Sequence, residues 1–202
     1  MTQNKSGSPL KVMVASTIYG FEYPISQVCT ILKEYGYDVL NSHMKTIPVD
    51  PRLSNTDNCL AAVRSADIVF GILRPRYGAA PGDEYSITHL EMLEAIALNK
   101  PKWFIAHRDI SVARQLLKQY MYLEDGKTAN PHFKFNGIPI LDDIRLIHQY
   151  NDTIRNEVKP ADRVGHWVDE FYDVPDIIQC VKTQFHDLER VRNIVEQMNP
   201  QP

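Results

Sequence analysis

Apolar residues occur along this chain in two alternating patterns. Short unbroken runs are separated by longer stretches in which they recur every three or four positions. The runs are Lys11–Ser16, Asp38–Leu40, Asp67–Leu73 and Trp103–Ala106. Continuous runs of this length, rich in Val, Ile and Phe, predict strands buried on both faces. Between them, Ile25, Val28, Cys29 and Leu32 mark a helix that Pro24 opens and Gly36 closes. Leu60 and Val63 mark a second helix over residues 56–66, and Ser86 caps a third reaching Leu98. Strand alternating with helix predicts an α/β fold, an open parallel sheet with helices on both faces.

The pattern loosens after His107. A helix is expected over Ser111–Tyr120, a polar insertion over Glu124–Ile138, and a further helix over Leu141–Asn151. Val168–Phe171 reads as a fifth strand at the sheet edge. Ile178, Val181, Phe185 and Leu188 place a last helix that starts near Pro175 and runs to Met198, long enough for its end to dock on a partner subunit. Residues 1–10 read as a flexible leader, 11–110 as the parallel core, and 111–202 as a helical extension of the same domain.

Composition narrows the function classes. A net charge of −3 argues against a nucleic-acid partner, because phosphate contacts demand a basic excess. No apolar run is long enough to span a bilayer. The three cysteines, Cys29, Cys59 and Cys180, lie apart within helical patterns, so they read as buried free thiols in a reducing compartment, the cytoplasm. Nothing around them offers the electropositive niche of a catalytic thiol. The Gly-rich dinucleotide and phosphate loops are absent, and His89–Leu90–Glu91 lacks the cysteine half of a zinc deaminase signature. No metal or resident cofactor is therefore expected, and His89 reads as a surface or hydrogen-bonding histidine.

Ligands of open parallel sheets bind outside the carboxyl ends of the strands. That rule selects Ser16–Glu22, His43–Lys45, Arg74–Thr88 and His107–Asp109. In the helix capped by Ser86, Thr88, Glu91 and Ala95 share one face, while Leu90, Leu93 and Ala97 share an adjacent face expected to pack on the sheet. Glu91 then stands near the helix start, where the positive end of the dipole favours an ionised carboxylate. Such a group suits a developing oxocarbenium ion at a glycosidic carbon. The competing structural role for Glu91 is to cap the helix or pair with Arg74 or Arg76; for those arginines it is pairing with Asp83 or Glu84.

Several segments together resemble a known family: VASTIY at 14–19, NCLAAV at 58–63, ADIVFGIL at 66–73, Arg76–Tyr77–Gly78, SITHLE at 86–91, Ala95, and Lys100–Pro101. This set resembles the DUF4062 family, domains regarded as similar to TIR domains and often found ahead of NACHT-type ATPases. The likeness runs from Lys11 to His107, about half the chain, and the remainder looks like a stand-alone bacterial version. It implies a flavodoxin-like, TIR-like sheet. It also implies an NAD-consuming glycohydrolase or cyclase in prokaryotic defence signalling, with Glu91 as catalytic residue between Ser86 and Ala95. Ile87–Thr88 stand where TIR enzymes carry a Trp-Cys pair.

In this reading NAD is a substrate or ligand rather than a cofactor. Ser16, Thr17 and Tyr19 line its pocket, Arg74 and Arg76 hold the pyrophosphate, and Tyr77, Ser86 and Thr88 complete the substrate set. The nucleoside 2-deoxyribosyltransferase family, which uses a glutamate on a similar sheet, implies an N-glycosidase as the alternative. A non-catalytic module that senses a nucleotide or assembles with its own kind is the third. The expected partners are a small-molecule nucleotide and further copies of the chain as a homo-oligomer.

Overall fold

A computed structural model describes residues 8–82, 84–163 and 167–198. Five strands, β1 (Lys11–Ser16), β2 (Asp38–Leu40), β3 (Ile68–Leu73), β4 (Lys102–His107) and β5 (Trp167–Phe171), form one parallel sheet in the order β2-β1-β3-β4-β5. This is the flavodoxin-like order. The predicted parallel α/β fold and its edge strand are thus both present.

Helix α1 (Glu22–Glu34) links β1 to β2, and α2 (Asn55–Ser65) links β2 to β3. Because the chain steps outward one way from β1 and then returns past it, right-handed crossovers place these helices on opposite faces. Val12, Val14, Ile68, Phe70, Ile72 and Ile105 cluster with α1 and with α6 (Val174–Phe185) and α7 (Leu188–Met198). Met13, Ala15, Val69, Leu73, Phe104 and Ala106 cluster with α2, α3 (Ile87–Ala97), α4 (Arg108–Met121) and α5 (Arg145–Thr153). Alternate residues of each strand therefore feed two cores.

Local chemistry sets the element ends. Gly36, at φ +94°, closes α1: its N–H donates to the Lys33 carbonyl at 3.0 Å while the Tyr37 N–H donates to the Leu32 carbonyl at 3.1 Å. Ser54 and Ser86 cap α2 and α3 by accepting from the N–H groups of Asp57 and His89. Helix α4 starts three residues earlier than predicted, because the His107 ring accepts from the Asp109 N–H. Helix α5 starts at Arg145 rather than Leu141, since residues 141–144 form a turn in which Asp143 clamps Arg145.

The long last helix of the sequence reading is two helices. The chain turns at His186–Asp187, where the Asp187 carboxylate accepts from the Arg190 N–H and restarts the helix. Helix α7 then folds back so that Val191 and Val195 are buried in the chain's own core, and Arg192 donates to the Ser8 carbonyl. Val191 and Val195 thus pack within the chain itself, where the sequence reading had only the end of a single long helix free to meet a partner subunit. Of the expected leader, residues 1–7 lie outside the described residues, and Leu10 is buried in the core.

Gly71, in the middle of β3, lets the third helix approach the sheet. A Cβ there would stand 2.6 Å from Phe104 Cδ1 and 2.9 Å from Met92 Cε. Phe104 is fully buried and has no room to yield. Gly71→Ala is expected to cost about 1–3 kcal/mol by overpacking, read as a lower urea midpoint with an unchanged m-value.

Candidate functional site

Where strand order reverses between β1 and β3, their carboxyl ends open into a cavity of about 790 Å³. Its walls come from the loop after β1, the loop after β2, α2, the Arg76–Ala79 segment after β3, and the first turns of α3. Two close approaches shape it. Gly78, at φ +84°, lies so near Thr17 that a Cβ would stand 2.9 Å from Oγ1. Thr17 Oγ1 in turn donates to the Tyr77 carbonyl at 3.3 Å. Asn41, at the end of β2, donates to the Val14 carbonyl at 2.9 Å and accepts from the Met44 N–H, fixing the loop that carries Ser42 and Lys45. Asn58 on α2 reaches the 50–54 loop through its whole side-chain amide.

Glu91 lies on the cavity wall and is only 5% exposed. Burial pushes its carboxyl from the ordinary 4.5 up to about 8, with the neighbouring Cys59 thiol pulling slightly the other way. The sequence reading of a carboxylate ionised by the helix dipole is therefore corrected: desolvation outweighs the dipole and favours the acid form at neutral pH. Cys59 is itself pushed up to about 12, by burial first and by the charge of Glu91 second. Burial thus favours its thiol form, but of the three thiols expected to be buried only Cys29 is; Cys59, on the cavity, and Cys180 are half-buried.

The competing roles for Glu91 are not met. Ser86 caps α3. Arg74 donates to the carbonyls of Thr17 and Tyr19 at 2.9 and 3.1 Å and lies 4.2 Å over the Phe21 ring. Arg76 lies 4.5 Å over the Tyr19 ring. Neither arginine forms an ion pair among the described residues, and Asp83 lies outside them.

Of the residues expected in the site, Ser16, Thr17, Tyr19, Arg76, Thr88 and Glu91 meet on the cavity wall. Arg74, Tyr77 and Ser86 do not. Arg74 braces the loop after β1, and Ser86 is spent on the cap. Tyr77 is buried beneath α3, where its hydroxyl pairs with His89 Nδ1 at 2.9 Å while Arg145 covers its ring at 4.6 Å. His89 is not at the surface but 1% exposed, and its Nε2 meets Asp152 at 2.8 Å. The face assignment of α3 is also corrected. Thr88, His89, Glu91, Met92 and Ala95 are buried, Leu90 and Leu93 only partly so, and Ala97 is exposed. Packing of α3 between α2 and α5 turns the buried arc toward Glu91.

Lys45 arrives with the His43–Lys45 segment, whereas Asn58, Cys59 and Asp142 are wall residues outside every segment selected from the sequence. Helical spacing from Leu60 and Val63 does not distinguish Cys59 from an ordinary core thiol. Asp142 carries no local signal at all. It arrives from the turn before α5 because it accepts from the Tyr77 N–H at 2.9 Å and its own N–H reaches the Pro75 carbonyl.

The family model for DUF4062, a domain of unknown function, matches residues 11–186. This chain belongs to the DUF4062 family. The match extends well past the segments that carried the resemblance, through β5 and α6 of this DUF4062 domain. A comparison with curated proteins gives no match. Among solved structures, a 2-desoxiribosyltransferase from Leishmania mexicana is similar at 16% identity and a TM-score of 0.39, over 71% of this chain and 97% of that one. That likeness is too distant to carry an argument. Among the described residues no helix is long and apolar enough to cross a membrane, and no cluster of three or more His, Cys, Asp or Glu is placed to hold a metal ion.

The buried carboxyl has a stability signature. Its folded value lies above the ordinary 4.5, so its contribution is fully present below about pH 4.5, falls as pH rises, and levels off above about 8. Glu91→Gln removes that loss and is expected to raise stability at pH 7 by roughly 3 kcal/mol, with no gain at pH 4. Urea unfolding of both proteins across this range checks it; a difference that does not change with pH would remove the assignment.

Proposed function

We propose that this DUF4062 domain is an enzyme that cleaves the N-glycosidic bond of a nucleotide, with NAD as substrate and Glu91 as the catalytic residue. The observation that carries the reading is a desolvated carboxyl on the wall of a large cavity that also bears the exposed cations Arg76 and Lys45, neither in an ion pair among the described residues. A nicotinamide ribose has a cationic ring at its anomeric carbon. Bringing that charge beside Glu91 favours the carboxylate, because opposite charges attract strongly where water is excluded. The ionised group then stabilises the oxocarbenium ion as the bond to nicotinamide breaks.

In this scheme the Ser16, Thr17 and Thr88 hydroxyls meet the ribose hydroxyls. Arg76 and Lys45 meet the pyrophosphate, and the exposed Tyr19 ring offers a stacking surface. The TIR-like chemistry implied by the sequence has the same outline, and a role in defence signalling belongs to this proposal rather than to the geometry.

The acid form of Glu91 favours one second reading, an N-glycosidase acting on neutral nucleosides. A protonated carboxyl can donate to the departing base nitrogen, which a neutral substrate needs and nicotinamide does not. The pH dependence separates the two. With NAD, kcat/KM is expected to rise about tenfold per pH unit toward a plateau near pH 8, because the carboxylate is the working form. With a nucleoside it falls above pH 8 instead. Glu91→Ala is expected to lower nicotinamide release by roughly a hundredfold or more, measured by chromatography beside a nucleoside panel. Unchanged release from every substrate in that variant ends the role of Glu91.

A further inference from the structure

A second hollow, of about 310 Å³, lies between α4, the turn at Gly126 and α5. Arg114, Lys118, Tyr122, Lys127, Asn151 and Asn156 line it, together with the apolar side chains of Met121 and Ile147. Among the described residues it thus has three cations and no carboxylate on its wall. The way Arg114 is held matters most. Its Nε donates to Asn151 Oδ1 at 2.5 Å and one terminal nitrogen, Nη2, donates to Asn156 Oδ1 at 2.8 Å. Two neutral amides therefore orient the guanidinium without cancelling its charge, which a carboxylate partner would do.

Each amide, having offered its oxygen to Arg114, keeps its NH2 donors for another acceptor. Lys118 and Lys127 are exposed and form no ion pair among the described residues. Asp125, on the same turn, is engaged elsewhere: its carboxylate accepts from the N–H groups of Lys127 and Thr128 and from the Thr128 hydroxyl. Glu124 faces the adjoining hollow along α4, which Lys118 also borders.

We propose that this hollow binds the phosphate group of a small phosphorylated molecule. A fixed guanidinium fork, two mobile ammonium groups and amide donors complement the oxygens of a phosphate monoester. The volume is at the low end of ligand pockets, which suits a compact ester rather than a dinucleotide. The site stands apart from the Glu91 cavity but is joined to it through α5. That helix carries Asn151, and it also presents Gln149 to Met92 at 3.4 Å and Asp152 to His89 at 2.8 Å on α3. A ligand that orders Asn151 thus acts on the helix against which the Glu91 helix packs.

The test is a titration of the full chain with glycerol phosphate, followed by NMR of the Asn side-chain amides and by calorimetry. Vesicles containing phosphatidic acid are run alongside to distinguish a lipid headgroup from a soluble ester. Saturable shifts of the Asn151 and Asn156 amides are expected with the soluble ester. Lys118→Ala and Arg114→Lys should each weaken binding roughly tenfold. Lys118 is exposed, so its loss leaves the fold intact, and Arg114→Lys keeps the charge while removing the fork. Lys182→Ala is expected to change nothing. A response confined to the vesicles, and lost with Lys118→Ala, keeps the phosphate site and assigns its source to lipid. Silent amides in both arms, or an equal loss from Lys182→Ala, overturn the proposal. None of these readouts depends on whether Glu91 turns over a substrate.

Discussion

The pairing of β1 with β2 on one side and β3 on the other, each in parallel register, is the constraint on which the remaining architecture depends. Parallel neighbours require crossover helices, and the opposite directions of the first two crossovers send α1 and α2 to opposite faces of the sheet. The loops after β1 and β3 must then part, because their helices leave on different sides. A cavity at that point is a consequence of topology before any side chain is considered. The side chains decide its character: Thr17 and Gly78 draw the two loops together at one place, and α3 supplies the far wall.

Helix α3 can stand there only because β3 lacks a side chain at Gly71. Phe104 and Met92 fill the space above that glycine, and the same packing sets the rotation of α3 about its axis. That rotation is the step the sequence did not reveal. Spacing within 86–98 offers two plausible faces, and the more apolar one, Leu90–Leu93–Ala97, is the natural choice for the sheet. The choice fails because α3 is packed on more than one side, by α2 and by α5 as well as by the sheet. A helix with several neighbours has a broad buried arc, so hydrophobic periodicity ceases to select one orientation.

The same distinction runs through the rest of the chain. Continuous apolar strands and glycine or serine at helix ends are local signals, so the sheet, its helices and the cap at Ser86 were legible. The gathering of Ser16, Thr17, Tyr19, Arg76, Thr88 and Glu91 was legible too, because strand ends in a parallel sheet converge whatever their sequence. Tyr77 was misplaced because its hydroxyl is claimed by His89, itself buried by Asp152 from a distant helix. Asp142 was missed for the same kind of reason, a turn before α5 that folds back onto Tyr77. The two-part C-terminal helix turned on one side-chain cap, Asp187, within an otherwise continuous apolar pattern. Contacts between residues far apart in sequence leave no periodic trace.

The ionisation of Glu91 is the property that distance and burial together decide, and it bears on what the cavity is suited to hold. A carboxyl near the start of a helix in water would be a carboxylate, with a few tenths of a kcal/mol from the dipole to help. Inside the protein, loss of water opposes the charge by several times that amount, and among the described residues no cation is paired with it. Arg76, at the rim, is stacked on Tyr19 instead. The cavity therefore carries the exposed cations Arg76 and Lys45, the acidic side chain of Asp142, and a Glu91 carboxyl that burial holds toward its acid form. A ligand with anionic groups at one end and a cation at the other would satisfy the rim and ionise the wall in one event. A purely anionic ligand would satisfy only the rim and leave Glu91 protonated. In the proposed scheme the buried carboxyl thus discriminates by charge, becoming a carboxylate when a cation takes the place of the water it has lost.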